Sequence, residues 1–86
     1  MPEISRFYGI VIQFFYKEHL PPHLHATYGE YRIQVDINNI SVLSGEMPRK
    51  GLNLIFEWVE IHQKELLEIW TLAKQEKPLP KVEPLK

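Results

Sequence analysis

A chain of 86 residues that is 44% hydrophobic and 12% aromatic is sized and composed for one small globular domain, not for a disordered segment. Ten basic against eleven acidic side chains leave a net charge of −1, which argues against a broad phosphate-binding surface. The absence of cysteine excludes a disulfide framework, a thiolate zinc site and a cysteine nucleophile.

The start, Met1-Pro2-Glu3-Ile4, has neither a basic nor an apolar leader region. No apolar run approaches the ~20 residues of a membrane span. A cytoplasmic protein with no membrane contact is expected.

Arg6 to Tyr16 reads as one strand, with Tyr8, Ile10, Ile12, Phe14 and Tyr16 on one face and Phe7, Val11 and Phe15 on the other. Both faces are partly apolar, as in a central or covered strand. Lys17 to Pro22 is a loop, and His23 to Tyr28 resumes as a strand. Gly29-Glu30 is a two-residue connection of hairpin type. Tyr31, Ile33, Val35 and Ile37 then alternate against Arg32, Gln34 and Asp36. Asn38-Asn39 fits a second tight turn, and Ile40 to Ser44 closes the sheet.

From Pro48 the period changes. Ile55, Trp58, His62, Leu66, Ile69 and Ala73 recur at three- and four-residue spacing, one continuous helical stripe. The segment Arg49 to Gln75 is one long helix or two consecutive ones, with a break expected near His62. Lys77 to Lys86 carries Pro78, Pro80 and Pro84 and is no helix interior. The expected architecture is α+β: a four-stranded antiparallel β-meander packed against a C-terminal helical segment. One domain over residues 1–76 is followed by an extended proline-rich tail over 77–86. Ile10, Ile12, Phe14, Ile33, Val35, Leu54, Ile55, Trp58, Leu66 and Ile69 should form the core. The remaining sheet face or its open edge is expected to meet a protein partner or a second copy in a dimer.

Three of the four histidines fall in the run His19-Leu20-Pro21-Pro22-His23-Leu24-His25. On a strand His23 and His25 leave the same face. Histidine both ligates metals and titrates near neutral pH. His19, His23 and His25 are therefore candidate ligands for a divalent transition metal such as zinc, three nitrogens leaving an open position. Glu18, Glu30 and Asp36 are candidates to fix their tautomers.

A metal-free alternative uses His23 and His25 as acid and base on an RNA phosphodiester. Arg6 or Arg32 would stabilise the developing charge, and Tyr8, Tyr28 or Tyr31 would orient or stack on a base. A third reading gives the imidazoles only packing or partner contact at the rim of the sheet.

Four segments resemble one family. They are Pro2-Glu3-Ile4-Ser5-Arg6-Phe7-Tyr8-Gly9-Ile10; His19-x-Pro21-Pro22-His23-x-His25-Ala26-x-Tyr28-Gly29; Glu57-Trp58-x-x-x-His62-x-x-Glu65-Leu66-Leu67-x-x-Trp70; and Lys77-Pro78-Leu79-x-Lys81-x-Glu83-Pro84-Leu85. Together they are similar to the small bacterial proteins of the domain-of-unknown-function family 4160. The proline–histidine block is the specific part. The resemblance implies a short protein encoded beside a second small gene, in an arrangement like a toxin–antitoxin module, and it implies no mechanism. It leads one to expect an acidic residue near the end of the first hairpin region, and here the chain departs from the family, its nearest acid before His19 being Glu18. Two functions follow: an interaction component of such a two-gene module, or a small histidine-dependent hydrolase, RNase-like or metal-assisted.

Overall fold

The computed structural model describes residues 2–86. Among them, five strands precede one helix: β1 (Glu3–Phe7), β2 (Ile10–Gln13), β3 (His23–Tyr28), β4 (Tyr31–Asp36), β5 (Ser41–Glu46) and α1 (Arg49–Lys74). The strands form a single antiparallel sheet in the order β1-β2-β3-β4-β5. The α+β architecture stands, with one strand more than the sequence pattern predicts.

The extra strand comes from a turn inside the expected first strand. Tyr8 (φ 49°) and Gly9 (φ 82°) both take positive φ, as a two-residue I′ hairpin requires. Phe7 then lies opposite Ile10 and shares its face, so both enter the core. In an unbroken strand the two would point to opposite sides. Tyr8 and Tyr16, expected with the core face, are exposed instead.

Ile12 and Phe14 of the β2 segment, Leu24 and Ala26 of β3, and Ile33 and Val35 of β4 line the same buried face. The helix covers it. Its buried residues Ile55, Trp58, Val59, Leu66, Ile69, Trp70 and Ala73 fall on both sides of a kink at His62 (φ −110°, ψ 16°). A straight helix of 26 residues would be about 39 Å long, more than the 33 Å of the longest molecular axis. Beside the kink, Gln63 Nε2 donates to the carbonyls of Ile37 (2.8 Å) and Asn38 (3.0 Å), tying the helix to the β4–β5 turn. Of the expected core, only Leu54 is half-buried rather than buried. No helix among the described residues is long and apolar enough to cross a membrane.

The β4–β5 turn is built on Asp36. Its buried carboxylate accepts from the amides of Asn38 (2.9 Å) and Asn39 (3.1 Å) and from Asn39 Nδ2 (3.2 Å). Those donors would otherwise be unpaired at a chain reversal. Asp36→Ala is expected to cost about 2 kcal/mol, the range for hydrogen bonds to a charged acceptor. Urea melts of Asp36→Ala and Asp36→Asn measure it, and the Asn variant should keep part of the stability.

The proline-rich tail returns to the sheet beside β1, at Ile4. Val82 N donates to the Ile4 carbonyl at 2.8 Å, and Trp58 Nε1 donates to the Glu83 carbonyl at 2.8 Å. Val82 is buried, with Leu79 and Leu85 packed against the core. Prolines lack the amide that an inner strand needs, which suits an edge position. The tail covers one sheet edge near Ile4, and β5 forms the other.

Candidate functional site

The β2–β3 loop returns the chain to the sheet. Lys17 takes a left-handed conformation (φ 58°), and beyond it Glu18 is half-buried while His19 is exposed. The helix end holds this loop from the side. Lys74 Nζ donates to the Glu18 carbonyl at 3.0 Å, and Lys17 Nζ lies 3.3 Å from Glu76 Oε2.

His23 and His25 leave β3 on one face, as their spacing requires. His23 is buried, with the Trp70 ring centroid 5.2 Å from its own. His25 stacks on Phe15 at 4.0 Å between centroids. Both imidazoles turn Nε2 toward one atom, Glu18 Oε1. His25 Nε2 is in direct hydrogen-bond contact with it, and His23 Nε2 lies 3.4 Å away. One donor atom from each of Glu18, His23 and His25 lies within 4.8 Å of the others.

The tautomer of His23 is fixed by its other nitrogen. His23 Nδ1 is 2.8 Å from the Pro21 carbonyl, an atom that only accepts, so Nδ1 donates. In the neutral ring Nε2 then carries a lone pair. That nitrogen is buried and has no hydrogen-bond partner.

The three expected ligands therefore separate. His23 and His25 come together, while His19 stays exposed outside the cluster and Glu18 holds the third place. Of the two other acids named from sequence, Asp36 pairs with His23 across the β3–β4 ladder, yet its carboxylate serves the Asn38 and Asn39 donors. Glu30 is exposed in the β3–β4 turn.

Arg6 lies on the same sheet face as His25. It is exposed and held by Glu3 through two hydrogen bonds, of 2.7 Å and 3.1 Å. Hydrogen bonding to Arg6 holds the Glu3 carboxyl below its ordinary range, and the same bond raises Arg6. A groove of about 410 Å³ runs over this face between Arg6, Gln13, Phe15, His25, Thr27 and Arg32.

At the far edge, all six residues of β5 are exposed, including the apolar pair Val42 and Leu43. Among the described residues no strand pairs with its outer side.

Residues 9–71 match a family described as Domain of unknown function (DUF4160). No curated protein and no solved structure matches the chain.

Proposed function

The chain belongs to the DUF4160 family, whose description names no activity, and on the shape of its own surface we propose that it is an interaction component of a toxin–antitoxin-like two-gene module, acting through a protein partner. The observation that carries this reading is the β5 edge. A terminal strand whose six residues are all exposed offers a row of backbone donors and acceptors to an incoming strand. Val42 and Leu43 add apolar contacts where proteins commonly place charge to keep an edge from pairing. The tail occupies the opposite edge at Ile4, whereas β5 is exposed along its whole length, which makes β5 the edge that receives the partner.

Co-expression with the product of the adjacent small gene tests this, with co-elution as the readout. The parent is expected to form a stable complex, and Val42→Lys with Leu43→Lys to weaken it by about tenfold or more, in line with the loss of an interface anchor. A complex that survives the double substitution unchanged removes β5 as the docking edge. A parent that only self-associates makes a second copy the occupant.

One observation favours a second reading, a small histidine-dependent hydrolase. His23 and His25 converge on one carboxylate, and His25 also lines the polar groove beside Arg6. Two imidazoles near a polar groove are suited to acid–base work on a phosphodiester. Cleavage of single-stranded RNA by the parent, lost in His25→Ala and in Arg6→Ala, would support it. Inactivity of the parent toward RNA, with or without added zinc, counts against it.

A further inference from the structure

We propose that Glu18, His23 and His25 bind one divalent transition-metal ion of the zinc class, with His19 outside the coordination sphere. This stands on the cluster itself and does not depend on the β5 edge or on hydrolysis.

The first support is the unpartnered nitrogen. With Nδ1 donating to the Pro21 carbonyl, His23 Nε2 is an acceptor aimed at another acceptor, Glu18 Oε1, 3.4 Å away. Its side chain is only 7% exposed, so water does not relieve the opposition. A buried lone pair facing a carboxylate oxygen is unfavourable unless a cation lies between them. Either a metal ion or a second ring proton can supply that cation.

The His23–Glu18 spacing fits the metal. Nitrogen and oxygen ligands sit ~2.0–2.1 Å from zinc, so two ligands of a tetrahedral site are roughly 3.4 Å apart. His23 Nε2 and Glu18 Oε1 are separated by 3.4 Å. That is longer than the hydrogen bond a shared proton would make. His25 Nε2 touches that same oxygen more closely than two ligands of one ion can sit, so the carboxylate turns away from His25 as the ion enters, and His25 then supplies the third donor.

The surroundings match what ligating histidines need. The Nδ1 hydrogen bond to a carbonyl orients the His23 ring and leaves Nε2 as the nitrogen free to ligate. Phe15 and Trp70 fix the two ring planes, and Lys74 anchors the Glu18 backbone from the helix end. Two imidazoles and one carboxylate select zinc, cobalt, nickel or iron over magnesium and calcium. Three protein donors leave a fourth position for water or substrate.

The test uses the full chain without a histidine tag, stripped with chelator and titrated with zinc chloride and, separately, with cobalt chloride. Bound metal is read by mass spectrometry, cobalt coordination by its visible absorption, and stability by the thermal midpoint. The parent is expected to take about one equivalent of zinc, with a raised midpoint and the cobalt bands of a tetrahedral site. Glu18→Gln and His25→Ala should each weaken binding by more than about tenfold, since even outer-shell changes cost that much. His19→Ala should bind as the parent does. His23 is buried, so the two less buried variants, confirmed folded by circular dichroism, carry the test. A parent that binds no metal in excess zinc overturns the proposal and leaves the proton as the cation. Binding lost in His19→Ala but kept in Glu18→Gln overturns it as well.

Discussion

Replacing Trp58 by Ala is expected to cost about 3–5 kcal/mol, a large share of the folding free energy. The indole is fully buried, 5.4 Å from Phe7 and 5.3 Å from His62 between ring centroids. Its Nε1–H also supplies the hydrogen bond that ties the tail at Glu83. Truncating a buried Trp costs about 3–5 kcal/mol through lost transfer energy and the cavity left behind. Stability runs at roughly 0.05–0.15 kcal/mol per residue, or about 4–13 kcal/mol for a chain of 86 residues, so the substitution removes about a quarter of it at the least. Urea melts followed by circular dichroism measure it.

Trp58→Phe divides the effect. It keeps most of the apolar volume and loses the tail bond, so a cost of about 1–2 kcal/mol is expected. Proteolysis should then begin in residues 77–86 while the sheet stays intact. Equal damage from Phe and Ala would mean that the tail bond, not the packing, is what Trp58 contributes.

The parts of this fold that were legible in the sequence are those with an unbroken period. Ile33 and Val35 alternate against Arg32 and Gln34, and they are buried as that pattern requires. The stripe from Ile55 to Ala73 is the buried face of α1, and the kink falls at His62, where a polar ring interrupts the stripe. The first hairpin was hidden by its turn. A two-residue reversal sets its flanking residues on one face, so Phe7 joins Ile10 and the alternation changes phase at Tyr8-Gly9. Read as one strand, the same residues give two apolar faces. The turn signal was present in Gly9, but the hydrophobic run across it outweighed one glycine.

The site was half legible for a related reason. The spacing of His23 and His25 fixes their common face, because strand parity is local. The third position depends on a loop whose path no period describes. His19 carries the more conspicuous side chain, while the left-handed Lys17 and the grip of Lys74 on the loop backbone turn Glu18 inward. The chemical signal, a pair of imidazoles leaving one face that calls for an acid, marks Glu18 in the sequence as one of three tautomer-fixing candidates, but not as the residue that takes the third place.

Gly45→Ala is expected to disrupt β5 by a cost of about 3 kcal/mol or more. Gly45 has φ +86°, and a Cβ there would lie 2.1 Å from the Arg32 carbonyl oxygen and 3.1 Å from Ile33 Cα. These are backbone atoms of the paired strand, so no rotamer change relieves the overlap. Left-handed backbone on a residue with a side chain adds about 1–2 kcal/mol by itself. Gly29→Ala separates the two contributions. Gly29 has φ +60°, and a methyl group there would meet nothing within 4 Å, so its substitution should cost the conformational part alone, about 1 kcal/mol. Amide exchange then decides how Gly45→Ala fails. Protection should fall first along β5 and the outer amides of β4, because β5 contributes nothing to the buried core and is held only by one ladder. If that edge receives the partner, the variant should lose its complex at temperatures where β1 to β4 and the helix remain folded. Uniform loss of protection across the sheet would instead make β5 part of the cooperative unit, and the docking edge as rigid as the core behind it.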